Sequence, residues 1–381
     1  MRVGVPAETK DGEHRVGLTP EGVRTLTADG HAVLVASGAG AAVGFADEDY
    51  RRAGARIAGA PAEVWACPLV VKVKEVQPDE YALMHAGSTV FGFAQLNRDP
   101  TLLAAVLAAH VTVIGYETVR DAQGAVPLLA PMSRIAGRLA PFAGADALGT
   151  HRGGSGVLLT GVDDVPGATV VVVGAGNVGG EAATVAARLG ARVSVFSRGP
   201  GRRLALERRL AREGHPVRTA AIDDAPAFAA AVRDADLVIG AVLEPGTLSP
   251  KLLSRALVAS MRPGSAIVDV GIDQGGIAET SRMTKLSAPT YVDAGVVHYA
   301  VPNMPSLVAR TATLALTAAT LPVVRRLAAG IAAALAADPG LAAGLMVRDG
   351  AIIHAGLAAD AAASVRREAG LAPARAPAAG P

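Results

Sequence analysis

Short apolar runs alternate with helix-period segments over the first 127 positions. "MRVGVP" (1–6), "HAVLVA" (31–36), "LVVKVKE" (69–75), "STVFGFAQL" (88–96) and "VTVIGYET" (111–118) read as strands. Between the first two lies "TPEGVRTLTADG", a helix with Thr19 as N-cap, Pro20 at its first position and Gly30 as its stop. "DEDYRRAG" predicts a second helix with Asp47 as its cap, and "DPTLLAAVLAAH" a third. This βαβ rhythm predicts a mainly parallel sheet.

The pattern restarts at "GATVVVVGAGNVGGEAATVAARLGARVSVFS" and continues through "ADLVIGAV" and "GSAIVDVGID", buried strands with helical stretches between them. Residues 133–149 have helical composition broken at Pro141 and are expected to join two domains. Residues 305–338 read helical again, with an interruption near Pro322. The expected division is a substrate domain of residues 1–127 plus 305–370 and a dinucleotide-binding domain of 128–304. Residues 371–381, "LAPARAPAAGP", form a loose tail.

Composition narrows the class. The chain has 381 residues, 51% hydrophobic, 18% charged and 3% aromatic, enough for two α/β domains with packed cores. A net charge of +2 without a basic block or aromatic-interleaved stripe argues against nucleic acid as a partner. Cys67 is the only cysteine, so no internal disulfide can form, and its neighbours Trp65, Pro68 and Leu69 mark it as buried. "MRVGVP" is a strand rather than a signal peptide. The most apolar helical stretch, "LAAGIAAALAA" at 327–337, is shorter than the roughly 20 residues a bilayer needs. The expectation is a cytoplasmic protein with no membrane partner.

"VVVVGAGNVGGEAA" places Gly174, Gly176 and Gly179 in G-x-G-x-x-G spacing, with Asn177 and Val178 between the last two. The motif follows an apolar strand and opens an Ala-rich helix. Gly174 permits the tight turn, Gly176 lets backbone approach a pyrophosphate, and Gly179 lets helix and strand pack closely. The helix terminus offers free N–H groups to phosphates. The next strand ends at Ser197, where an NAD site carries a carboxylate that binds the ribose 2′-OH. Ser197 and Arg198, with Arg202 and Arg203 close behind, suit a 2′-phosphate instead, so NADP(H) is the expected preference and NAD(H) the alternative. A solvated basic loop is the competing reading of these arginines.

Arg15 follows the first strand and Lys74 ends the strand "LVVKVK". Strand C-terminal ends face the ligand crevice of a parallel sheet. Two cations there suit a small carboxylate with an adjacent carbonyl, and each alone reads as a surface charge. Asp273 closes "SAIVDVGID" before the turn "QGG", which can approach a nicotinamide. Asp269 lies within that strand as a packing or hydrogen-bonding residue. No His/Cys/Asp cluster suggests a metal.

Taken in order, "MRVGVPAETKDGEHRVGLTPEGV", "KVKE", "YETV", "PLLAPMSRIAGRLA", "GAGNVGGEAA", "DLVIGAVLEPG", "VDVGIDQGG" and "HYAVPNMPS" resemble alanine dehydrogenase and its relatives, among them the soluble nicotinamide-binding domain of proton-translocating transhydrogenase. The resemblance covers roughly residues 1–360 and is stronger toward the dehydrogenases. It implies two Rossmann-like domains with a cleft between them, and a homo-oligomer, hexamer or dimer. Arg15 and Lys74 then hold the carboxylate and carbonyl of a 2-oxo acid, with Met132 and Ser133 beside substrate and cofactor. Asp273 becomes the catalytic carboxylate. Ala241, Val242, Leu243, Val270, Val301, Asn303 and Met304 line the dinucleotide site.

The sequence departs from the family pattern at several of these positions. Gln95 stands where the family's catalytic histidine falls, and an amide cannot cycle a proton near neutral pH. Ser197 replaces the ribose-binding acid. Pro302, Ser306, Leu307 and Ala309 alter the nicotinamide-side loop, and Arg134 replaces the acidic residue after "APMS". His14, His85 and His298 read as structural or solvated. The expected function is an NADP(H)-dependent amino-acid or imino-acid oxidoreductase acting on a small 2-oxo or 2-imino acid, with Lys74, Gln95 and Asp273 at the reacting centre. L-Alanine dehydrogenase and a dinucleotide-binding protein without turnover are the rivals.

Overall fold

The computed structural model describes residues 1–242 and 249–368; Leu243 and the tail at 371–381 lie outside the described residues. The chain forms two units, one of Met1–Pro131 with everything from Val308 onward, the other Met132–Leu307. The first unit opens with β1 (Arg2–Val5), α1 (Pro20–Ala28), β2 (Ala32–Ala36), α2 (Asp47–Arg52), β3 (Arg56–Ala58), α3 (Pro61–Trp65), β4 (Leu69–Val71), β5 (Thr89–Gly92), α4 (Pro100–Ala108) and β6 (Thr112–Gly115). All six strands pair in parallel. Thr19 caps α1 by accepting from the Gly22 N–H, and Asp99 caps α4.

Two local expectations fail here for identifiable reasons. Asp47 is not the cap of α2: its carboxylate accepts from Ser37 Oγ and Gly38 N, so Ala46 is the cap position, and Asp49 takes the Ala46 N–H. The strand at 69–75 stops at Val71, because the Glu8 carboxylate takes the Val73 and Lys74 N–H groups that a longer ladder would use. Lys74 therefore lies just past the strand end. β3 has too few apolar residues to announce itself in sequence.

The second unit contains α5 (Ala130–Ala147), β7 (Thr169–Val173), α6 (Asn177–Arg188), β8 (Arg192–Ser197), α7 (Pro200–Arg212), β9 (Arg218–Ala221), α8 (Ala225–Asp234), β10 (Leu237–Gly240), α9 (Arg255–Ala259), β11 (Ala266–Asp269), β12 (Thr290–Asp293) and β13 (Val296–Tyr299). The boundary falls two residues into the first turn of α5. Strand order is β12-β13-β11-β10-β7-β8-β9, parallel except for the β12–β13 hairpin. Period-two alternation builds a core on each face: Val170, Val172, Ile239 and Val268 on one, Val171, Val173, Val238 and Ile267 on the other. The helix over 133–149 is not broken at Pro141. It runs through, with Pro141 buried and Gly137 and Gly144 pressed so closely against Val178 and Leu237 that a Cβ would overlap them.

The chain then returns to the first unit as α10 (Ala309–Ala329), α11 (Ile331–Ala337), α12 (Pro339–Ala342), β14 (Leu345–Arg348), β15 (Ala351–Ile352) and α13 (Ala355–Glu368). β14 joins antiparallel to β6, completing the order β15-β14-β6-β5-β4-β1-β2-β3. The helical break expected near Pro322 falls at Gly330 instead, so "LAAGIAAALAA" spans the junction of two helices. Met304–Ala329 is long and apolar enough by length and composition to cross a membrane. Within the unit, however, α10 buries Ala312, Leu316, Val324 and Leu327, accepts the Val16 N–H at Thr313 Oγ1, and pairs Arg325 with Asp29. Those contacts are those of a core helix with a solvated back.

Candidate active site

At the C-terminal edge of the first sheet, two segments carry the cations expected there. The loop after β1 holds Arg15, whose Nε and Nη2 lie 2.7 and 2.6 Å from the two carboxylate oxygens of Glu13. The Arg15 N–H donates to the same carboxylate. The segment after β4 carries two lysines with different surroundings. Lys72 is fully buried, its Nζ 2.7 Å from Glu80 and 3.3 Å from Glu8. Burial opposes its charge, but the two glutamates outweigh that and raise its pKa. Burial likewise pushes Glu8 above the usual carboxylate range, against the pull of Lys72. Lys74 lies 3.8 Å from Glu75, which also pairs with Lys10. Burial opposes ionisation of Glu75, yet Lys74 and Lys10 together hold its pKa below the ordinary value.

Gln95 follows β5 in a left-handed conformation, φ 46°. Its N–H donates to Glu117 Oε1 at 2.8 Å, and the Ala94 N–H donates to the same oxygen at 3.0 Å. Glu117, just beyond β6, is half-buried; withdrawal of its carboxyl from water raises its pKa, opposed by these N–H groups and by Lys74. Sequence reasoning named Arg15, Lys74 and Gln95 but missed Glu8, Glu13 and Glu117. The available signal was a carboxylate within two residues of each cation or strand end, in "GEHR" and "YETV".

On the second unit, the turn from β7 to α6 is built as a phosphate cradle. Gly174 has φ 109°, and a Cβ on Gly179 would lie 1.9 Å from the Gly174 carbonyl oxygen, so both positions demand glycine. Gly176 is the N-cap of α6 with open space around it. A groove of about 320 Å³ runs along Ala175, Gly176, Asn177, Gly180, Arg202 and Arg209. This shape and the open N–H terminus fit a dinucleotide diphosphate. Val178 turns its carbonyl toward Gly137, and the Ala241 carbonyl oxygen backs the Gly174 turn. Val270 N–H bonds to the Gly240 carbonyl, and Val242 accepts from Ser249. Arg198 is exposed; Arg203 stands outside the groove lining, with Nε and Nη1 buried.

Asp273 was expected at a strand end. β11 stops at Asp269, and Asp273 sits in a short 3-10 turn, Ile272–Gln274. That turn is gripped from two sides. The Lys251 ammonium donates to the carbonyls of Gly275, Gly276 and Ala278 at 2.5, 3.1 and 2.9 Å. Asp269 accepts from Ile277 N at 2.8 Å and Ser281 Oγ at 2.6 Å. Burial raises the Asp269 pKa, against these bonds and the charge of Lys251. Met132 is buried and Ser133 half-buried in the first turn of α5, with Arg134 exposed beside them. Val301 and Met304 are buried. Asn303 has φ 56°, and its carbonyl accepts from both N–H and Oγ of Ser306.

His298 is buried, bonded to Thr280 Oγ1 and the Val296 carbonyl, and stacked on Tyr291. Burial lowers its pKa, which leaves it a neutral structural residue. Among the described residues no group of three His, Cys, Asp or Glu side chains gathers for a metal.

Known proteins with this architecture put the chain in a class: it is a nicotinamide-dependent oxidoreductase acting on CH–NH2 or CH–NH groups of a small amino or imino acid. The chain belongs to the alanine dehydrogenase/PNT family, matching its N-terminal domain over residues 4–136 and its C-terminal domain over 140–355. An alanine dehydrogenase of Halomonas elongata is 47% identical over 360 residues, which cover 94% of this chain and 96% of the relative. A solved L-alanine dehydrogenase is 44% identical with a TM-score of 0.90, covering 95% of this chain and 99% of that one. A transhydrogenase structure from Sinorhizobium meliloti is 26% identical with a TM-score of 0.78, covering 93% and 100%.

This kinship overturns the expected NADP(H) preference, since NAD(H)-dependence goes with alanine dehydrogenases of this similarity. The structure supplies a physical reason. Ser197 Oγ donates to the Gly199 carbonyl within its own turn, 3.3 Å away. Arg202 lines the groove beside Gly176, whose shape fits the diphosphate common to both cofactors, so its charge is not aimed at the 2′ position that distinguishes them.

Proposed function

We propose that the protein is an NAD(H)-dependent alanine dehydrogenase, interconverting L-alanine and water with pyruvate and ammonia. The observation that carries this reading is the pairing of buried Arg15 and Lys74, each beside a carboxylate, with 44–47% identity to alanine dehydrogenases along nearly the whole chain. Bound NAD(H) would supply hydride exchange with the substrate Cα, held at the diphosphate by Gly174, Gly176, Asn177 and Gly179. Arg15 fixes the substrate carboxylate, the planar fork that Glu13 keeps oriented. Lys74 stabilises charge that develops on the carbonyl oxygen or imine nitrogen. Gln95 donates a hydrogen bond to that atom without exchanging a proton. Asp273 takes the acid–base step on the amine or on water. Met132, Ser133 and Asn303 shape the pocket around a small side chain. The enzyme works as a homo-oligomer in the cytoplasm, where its single buried Cys67 stays reduced.

Steady-state assay of the purified protein with L-alanine and NAD, and with pyruvate, ammonium and NADH, tests the reading. Turnover of both pairs, and tighter binding of NADH than NADPH, is expected. Turnover only of larger or cyclic imino acids would replace alanine as the substrate.

A further inference from the structure

We propose that Lys10 is a positioning residue of the substrate side: its ammonium anchors the Glu75 carboxylate and so holds it short of a direct bond to Lys74. The inference rests on the reading that Lys74 contacts substrate.

Glu75 stands between two lysines. Its Oε1 accepts from Lys10 Nζ, while its Oε2 lies 3.8 Å from Lys74 Nζ, beyond hydrogen-bond reach. That Oε2 is buried and accepts no hydrogen bond. Burial opposes ionisation of Glu75, but the two lysines keep its pKa below the ordinary value, so it is a carboxylate near neutral pH. A buried carboxylate oxygen left unbonded is costly, and a shift of about 1 Å would bond it to the ammonium in front of it. The pull that resists this shift comes from Lys10, and the β1–α1 loop fixes where Lys10 stands. Glu8 accepts from the Val73 and Lys74 N–H groups at 2.6 and 3.2 Å. Thr9 Oγ1 donates to Asp79 at 3.1 Å, and the Lys10 carbonyl accepts from Glu13 N at 3.0 Å. Substrate therefore meets Lys74 without first breaking a direct Lys74–Glu75 bond.

Lys10→Met keeps an aliphatic stem and removes the anchor. Lys10 is the outer member of the group, with 36% of its side chain exposed against 12% for Glu75 and 6% for Lys74, so the thermal midpoint should stay close to native. With pyruvate, ammonium and NADH, the pyruvate KM is expected to rise about tenfold or more, the worth of a charge-assisted hydrogen bond that substrate must now displace. The change in kcat is expected to be smaller, because Lys74 acts as before once substrate has recruited it. In a Glu75→Gln background no carboxylate remains to be released, and Lys10→Met has no further effect on KM. A KM unmoved by Lys10→Met alone, or raised equally in both backgrounds, overturns the proposal.

A second measurement needs no turnover. Crystal structures of the native protein and of Lys10→Met are expected to differ at one pair. A Glu75 carboxylate oxygen closes to within about 3 Å of Lys74 Nζ in the variant, from 3.8 Å in the native chain. An equal separation in the two structures refutes the anchoring role. A native protein that turns over no 2-oxo acid, together with a closed Lys74–Glu75 pair in the variant, would sink the functional reading and leave the anchoring of Glu75 by Lys10 standing.

Discussion

Glu13 holds Arg15 along one edge of its guanidinium, Nε to Oε1 at 2.7 Å and Nη2 to Oε2 at 2.6 Å, with both side chains withdrawn from solvent. The two residues are neighbours on one loop, so the pair orients the arginine rather than tying distant segments together.

Glu13→Gln should therefore act mainly on substrate. The amide keeps one acceptor and loses the bidentate hold, and the pyruvate KM is expected to rise roughly tenfold as Arg15 loses its orientation. Removing the partner of a buried charge also destabilises, by about 3 kcal/mol or more for a full truncation such as Glu13→Ala. Steady-state kinetics and denaturant midpoints of both variants check this. Unchanged KM in Glu13→Gln would place the carboxylate recognition elsewhere.

Gln95→His restores a titrating group at a position whose left-handed backbone histidine tolerates better than most residues. General acid–base help is worth about 10²–10⁴ in rate. Pyruvate amination should rise measurably, and its pH–rate profile should gain a limb near neutrality. If the variant is no faster, Asp273 and Lys74 already supply the proton transfers.

The two later glycines of the cradle should fail differently. Gly179→Ala drives a Cβ to 1.9 Å from a carbonyl oxygen and is expected to unfold the β7–α6 junction. Gly176→Ala meets nothing nearer than Arg202 Nη1 at 3.9 Å, so the fold should hold while NADH binding weakens. Circular dichroism and NADH fluorescence titration, run on both, separate the outcomes.

Lys251→Met leaves three backbone carbonyls without their shared donor and loosens the turn behind Asp273. The expected result is a fall in kcat larger than the change in NADH affinity, since the diphosphate cradle lies elsewhere in the unit. A drop confined to NADH binding would contradict the role given to that turn.

Asp269 predicts a pH signature. Its folded pKa is raised, first by burial, so the folded protein holds this proton more tightly than the unfolded chain does. Its favourable contribution is complete below the unfolded aspartate value, declines as pH climbs toward the folded value, and is flat above it. Asp269→Asn removes that slope. The stability of the variant relative to the native protein should climb from acid toward neutral pH, as read from thermal midpoints. A difference that is constant with pH would mean Asp269 does not titrate in that range.

The sequence revealed strands wherever apolar runs were long and the fingerprint wherever glycines kept their spacing. It named Arg15 and Lys74 from their places after strands. It did not reveal where strands end, because that depends on distant carboxylates: Glu8 stops β4 by taking its amides, and nothing near residue 73 announces it. Pro141 and Pro322 misled in the same way. A proline removes one helical hydrogen bond, and burial of the surrounding face keeps both helices continuous. The arginines after Ser197 pointed to NADP(H) by charge alone, whereas the structure places Arg202 beside the diphosphate turn. Glu13, Glu117 and Lys251 act on backbone or on a neighbouring charge, and such roles have no spacing signature.

The first sheet is closed by chain that arrives last. β1 to β6 are complete by Gly115, yet α10, which covers them, and β14, which shields the β6 edge, follow only after all of residues 132–307. On the ribosome, the N-terminal strands must therefore wait with an apolar face and an open edge while the second unit is made and can already fold. The order of synthesis makes the second unit the earlier one to mature. Nascent chains stalled before Ala309 should bind NADH well before they resist protease across residues 1–131.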